Sequence, residues 1–153
     1  MARNAVNNIV VTCTDTLAQA GLFAEDLDRL DRQKGWLKCG YHYVIERDGK
    51  VVNTRPIEEP AGHLQSMNNS SILICLVGGQ GSKRKWTYNN YSHEQLDSLR
   101  GTVIGLSRMF PNAILSGEYE LFPEIRRPYF NVREFLKDMS DIIPTCPFCR
   151  RPF

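Results

Sequence analysis

Histidine is scarce in this chain: His42, His63 and His93 are the only three in 153 residues. A site that needs several imidazole ligands or bases has little to draw on. Long apolar runs are missing too. None approaches the ~20 residues that span a bilayer, so no membrane-crossing helix is expected. The start, Met1-Ala2-Arg3-Asn4, lacks the apolar stretch of a signal peptide, which makes the cytoplasm the expected location. No excess of one charge exists either: 19 Lys and Arg face 17 Asp and Glu, a net charge of +2. That balance is too even to draw the chain to nucleic acid or an anionic membrane by bulk electrostatics. The most basic run, Lys83-Arg84-Lys85, reads as a solvated loop. The cysteines number five, and an odd count in a cytosolic chain argues against a disulfide framework. Cys13 and Cys75 lie in apolar runs and read as buried thiols.

What is present suits one compact domain with a real core. Asn8 to Cys13 is apolar and β-branched, a buried strand. The stretch from Thr14 to Phe23 reads as loop. Glu25 to Lys34 is an amphipathic helix with Leu27 and Leu30 on one face and Gly35 just past its end. Tyr41–Glu46 and Lys50–Asn53 flank Asp48-Gly49, a hairpin signal because glycine supplies the positive φ of the turn. Ser71 to Val77 is continuously apolar, as expected of a central strand covered on both faces. Ser92 with Gln95 forms a capping box. Leu96, Leu99, Val103, Leu106 and Met109 then recur at helical spacing until Pro111. Ala113 to Leu115 is a short strand. Asn131 with Glu134 opens a last helix carrying Val132, Phe135, Leu136 and Met139. This alternation predicts a single α/β domain over residues 1–142, a sheet with helices on its faces, and an irregular tail over 143–153.

Three stretches carry a resemblance. Gln33 to Gly49 gives a helix end, then Gly40-Tyr41-His42, then Arg47-Asp48-Gly49. Gly62-His63 is followed by Asn68 and by Ser71 to Gly79. Gln95 to Leu115 gives a long helix and the strand after it. In this order they resemble the bacteriophage N-acetylmuramoyl-L-alanine amidases of the T7 lysozyme type, whose fold is shared with peptidoglycan recognition proteins. The resemblance implies a mixed central sheet flanked by helices, with a cleft on one face. It also implies a phage origin, hence the cytoplasm of an infected bacterium. In active members the cleft holds zinc on two histidines and a cysteine, with one open position where the metal polarises a carbonyl and acidifies a water.

Carried over residue by residue, the metal set fails. Thr12 stands at the first histidine position and Glu118 at the second. The cysteine position, just before a proline, falls at Arg126 or Arg127, near Pro128. Glu124 takes the place of the family's catalytic lysine. Of the family's cleft residues, Tyr41, His63 and Asn68 remain. A threonine hydroxyl is a poor zinc ligand and a guanidinium has no lone pair to give. No cofactor is therefore expected in the cleft, and no catalytic residue. A salt bridge between Glu118 and one arginine of the 126–127 pair is expected to close it. Tyr41 reads either as a relic of the catalytic set or as a strand tyrosine packed beside Trp36. His63 reads as a ligand contact or as a hydrogen-bonded loop histidine.

In the tail, Cys146-Pro147-Phe148-Cys149 is half of a metal motif. Free thiols, a structural zinc completed by a second chain in a homodimer, and redox chemistry are its three readings. Arg150-Arg151 reads as a solvated end. The expected function is that of a catalytically inactive amidase-like phage protein. It would act by binding a protein partner, such as a phage RNA polymerase or a host defence protein. The alternatives are a peptidoglycan-fragment binding module, with weak muropeptide affinity, and a residual amidase with an unorthodox metal site. No membrane or strong nucleic-acid partner is expected.

Overall fold

The computed structural model describes residues 5–17, 20–80, 86–87 and 90–142. Lys83-Arg84-Lys85 and the tail with Cys146, Cys149, Arg150 and Arg151 lie outside the described residues. Two apolar, β-branched segments build the centre. Strand β1 (Asn8–Cys13) pairs in parallel with β5 (Ser71–Leu76), and every residue of β5 is buried. The hairpin forms as expected: β3 (Tyr43–Ile45) and β4 (Val51–Asn53) run antiparallel around Gly49, whose φ is +92°. With β7 (Ile114–Gly117) the sheet has five strands in the order β4-β3-β5-β1-β7, mixed in direction.

Strand alternation sends successive side chains to opposite faces. On one face, Ile9, Val11, Cys13, Ile72, Ile74 and Leu76 pack against Leu96, Leu99, Val103 and Leu106 of α2 (His93–Met109). Val132 and Phe135 of α4 (Val132–Ile142) complete that core. On the other, Val10 and Leu73 meet Ala61 and Leu64, while Val44 and Cys75 meet Ala24 and Leu27 of α1 (Ala24–Gln33). Thr12 shares the parity of Val10, so it belongs to this second face. The caps follow the sequence: the Ser92 hydroxyl accepts the Gln95 N–H at 3.0 Å, and Asn131 accepts the Glu134 N–H at 3.0 Å.

Four features depart from expectation. Within the supposed loop, β2 (Thr16–Leu17) pairs in parallel with β6 (Gly79–Gln80). A 3-10 helix (Gln65–Ser70) precedes β5, and a four-residue helix α3 (Glu118–Leu121) follows β7. The face of α1 is also rotated: Ala24, Leu27 and Asp31 are buried, while Leu30 is 41% exposed.

Candidate functional site

The register of the sheet edge positions the site. Val11 pairs with Gly117 across β1 and β7, so the next residues along, Thr12 and Glu118, fall side by side. The Thr12 hydroxyl donates to Glu118 Oε1 at 2.6 Å. Arg127 grips the same carboxylate with two bonds, Nε to Oε1 at 2.7 Å and Nη2 to Oε2 at 3.3 Å. The Glu118 side chain is 4% exposed and that of Arg127 36%. The expected salt bridge is thus present, and Arg127, next to Pro128, is the arginine that makes it. Arg126 points elsewhere, its guanidinium 5.1 Å from the Trp86 ring centre.

A cavity of about 280 Å³ opens over this cluster, lined by Thr12, Cys13, Thr14, Lys34, Tyr41, His63, Glu118 and Arg127. It adjoins a second of about 180 Å³, where Thr14, Lys34, Tyr41 and His63 recur beside Leu22, Leu27, Leu30 and Asp31. One end of the cleft is therefore polar and the other mixed. His63 stacks on Tyr41 at 4.4 Å between ring centres, touches Trp36 at 4.5 Å, and contacts Asp31 Oδ2 through Nε2 at 3.0 Å. Asp31 also accepts the Gly40 N–H at 2.8 Å. A side chain at Gly40 would meet Trp36 and His63 within 2.6 Å, so a glycine there lets the rings lie on the backbone.

Burial sets the protonation of these groups. Desolvation lowers the His63 pKa below its ordinary value although Asp31 pulls the other way. Desolvation pushes the Cys13 thiol up to about 11 and the Tyr41 phenol well above its usual range. Burial therefore keeps the Cys13 thiol in its protonated, weakly nucleophilic form at neutral pH.

Thr12, Tyr41, His63, Glu118 and Arg127 come together as the sequence suggested. Asn68 does not join them: its side-chain oxygen accepts the Leu64 N–H at 2.7 Å and shapes its own loop. Glu124 is exposed and does not line the cleft. Asp31 and Lys34 were missed. The helix pattern puts Asp31, four residues after Leu27, on the buried face, but neither a carboxylate there nor a lysine at the helix end signals a cleft residue.

Residues 2–115 match the family described as N-acetylmuramoyl-L-alanine amidase. The chain belongs to the N-acetylmuramoyl-L-alanine amidase family. The endolysin of Escherichia phage T7 is 31% identical over 122 residues, 80% of either chain. Among solved structures, the amidase LysC from Clostridium intestinale URNW superposes with a TM-score of 0.73 at 20% identity, covering 88% of this chain and 85% of its own. Drosophila peptidoglycan recognition protein SD superposes at 0.68 and 17% identity, covering 100% and 90%. The fold is therefore the amidase fold. The zinc that the family resemblance implies does not fit the donor set at Thr12, Glu118 and Arg127. A guanidinium fills one position, repels a cation and offers no lone pair, and the one carboxylate is already committed to it. Among the described residues no group of three or more His, Cys, Asp or Glu converges as a metal site.

Proposed function

We propose that this chain is a non-hydrolysing member of the amidase family that binds peptidoglycan fragments in its cleft. The observation that carries the reading is the Thr12–Glu118–Arg127 cluster. A fixed, paired cation stands in this cluster, and by the family resemblance these are the positions from which an amidase holds a metal with one open coordination site. The cleft that remains is open and suited to a short peptide. Lys34, His63 and the free N–H groups of Arg127 face its polar end, and Leu22 and Leu27 its other end. Likeness to a peptidoglycan recognition protein supports the same ligand class. A protein partner in the infected cell is the reading that the sequence alone put first. It has no cleft geometry behind it, so the fragment reading takes its place. Titration calorimetry with muramyl tripeptide is the test. Saturable heat at micromolar ligand, with no peptide released from purified cell wall, is the expected result. Silence in calorimetry sinks the binding half of the proposal, and released peptide sinks the non-hydrolysing half.

A further inference from the structure

Trp86 holds one of the large exposed rings of the surface, at 41% exposure. A single exposed apolar residue needs no explanation, but this ring is propped from two sides. Its centre lies 4.9 Å from that of Tyr119, nearly perpendicular at 79°, and the Arg126 guanidinium sits over it at 5.1 Å. Edge-to-face and cation–π contacts of this kind help to fix the orientation of a ring that is only partly buried.

The platform is also tied to the cleft. Tyr119 follows Glu118 and Arg126 precedes Arg127 in the chain, and the Tyr119 N–H donates to the Arg127 carbonyl at 3.1 Å. Glu118 and Arg127 are therefore each one residue away from a member of the platform along the chain. A peptidoglycan fragment has two chemically distinct halves. Its peptide is charged and partly apolar, which suits the cleft of Lys34, His63, Leu22 and Leu27. Its sugar presents a C–H face and a rim of hydroxyl and acetamido groups. A flat indole beside a planar guanidinium offers the matching surface, apolar contact for the one and N–H donors for the other.

Resting on the reading that fragments bind in the cleft, we propose that Trp86, with Tyr119 and Arg126, forms a saccharide subsite. Calorimetry on the full chain tests this with three probes: muramyl tripeptide, the same tripeptide without sugar, and a free N-acetylglucosaminyl-N-acetylmuramic acid disaccharide. Wild type is expected to bind the sugar-bearing tripeptide ~10-fold more tightly than the bare one, about 1.4 kcal/mol. Trp86→Ala should erase that difference and leave the bare tripeptide unchanged, and Trp86→Phe should keep most of it. The circular dichroism spectrum of Trp86→Ala should match wild type. Equal affinity of wild type for both tripeptides overturns the subsite while the cleft reading survives. So does a Trp86→Ala loss that is equal for both. Binding of the disaccharide that depends on Trp86, with the bare tripeptide silent, supports the subsite and overturns the cleft reading. Silence with every probe overturns both.

Discussion

The carboxylate of Glu118 is nearly sealed from water, and a sealed carboxylate survives only if its charge is answered. Arg127 answers it with a two-pronged grip and Thr12 adds a third bond. Arg127→Ala leaves the charge with the Thr12 hydroxyl alone. The expected cost is about 2–3 kcal/mol, toward the low end for a buried pair because the arginine itself is partly exposed. Arg126→Ala breaks only an exposed cation–π contact, worth at most about 1 kcal/mol. Urea denaturation of both variants decides it: equal losses would mean that the pair holds nothing together. His63 makes a pH-dependent contribution of opposite character. Its folded pKa is depressed, so the fold favours the neutral ring. As pH falls through the ordinary histidine value of about 6.5, the unfolded chain takes a proton that the folded chain refuses. Stability is therefore lost from there downward, until folded His63 also protonates. Wild type should lose more stability between pH 7.5 and 5.5 than His63→Asn does. If the two curves run parallel, the ring is not the source.

At the scale of elements, Gln95 is the side chain that fastens α2 to the sheet. It is fully buried, donates to the carbonyls of Ile45 at 3.1 Å and Val77 at 2.8 Å, and accepts from Arg47 at 2.9 Å. Gln95→Ala strands the Val77 carbonyl, takes one of two donors from the Ile45 carbonyl and leaves Arg47 without its side-chain acceptor, at an expected cost of about 2–3 kcal/mol, whereas Ser92→Ala removes the cap bond and a part-buried bond to the Arg47 carbonyl, at about 1 kcal/mol. Chemical denaturation of the two variants checks the order, and a Gln95→Ala loss no larger than that of Ser92→Ala would refute it. Sequence exposed Gln95 only as a capping residue. The same holds elsewhere: elements with a repeated local signal were legible, and those made by tertiary contact were not. The β-branched run of β5, the Asp48-Gly49 turn and the leucine spacing of α2 each repeat a pattern over several residues. Strands β2 and β6 have two residues each, too few for any period. The rotation of α1 was hidden because Asp31 takes a core position through His63 and the Gly40 amide, a partnership that no helical pattern records. In the cleft, Thr12, Glu118 and Arg127 were legible by resemblance. Lys34 was not, because an exposed lysine at a helix end has an ordinary solvated reading.

For the whole molecule, the question is whether any metal belongs to it, since a bound metal stabilises a fold by mass action. The cleft and the tail make opposite demands. In the cleft, a zinc ion would have to displace Arg127 from Glu118, and among the described residues no three of His, Cys, Asp or Glu converge to receive it. That falls short of the three deprotonated ligands zinc requires. Cys146 and Cys149 stand at metal-motif spacing, and if they bind zinc rather than remain free thiols or act in redox chemistry, a second chain must complete the site. Elemental analysis of the purified full chain, beside Cys146→Ser/Cys149→Ser, separates the two. Zinc found in the wild type is expected to fall to background in the tail variant, and a chelator should leave the melting temperature of that variant unchanged. Zinc that persists without the tail cysteines would have to sit in the cleft. Arg127 would then be a side chain that swings away from Glu118, and hydrolysis would become the reading to test first.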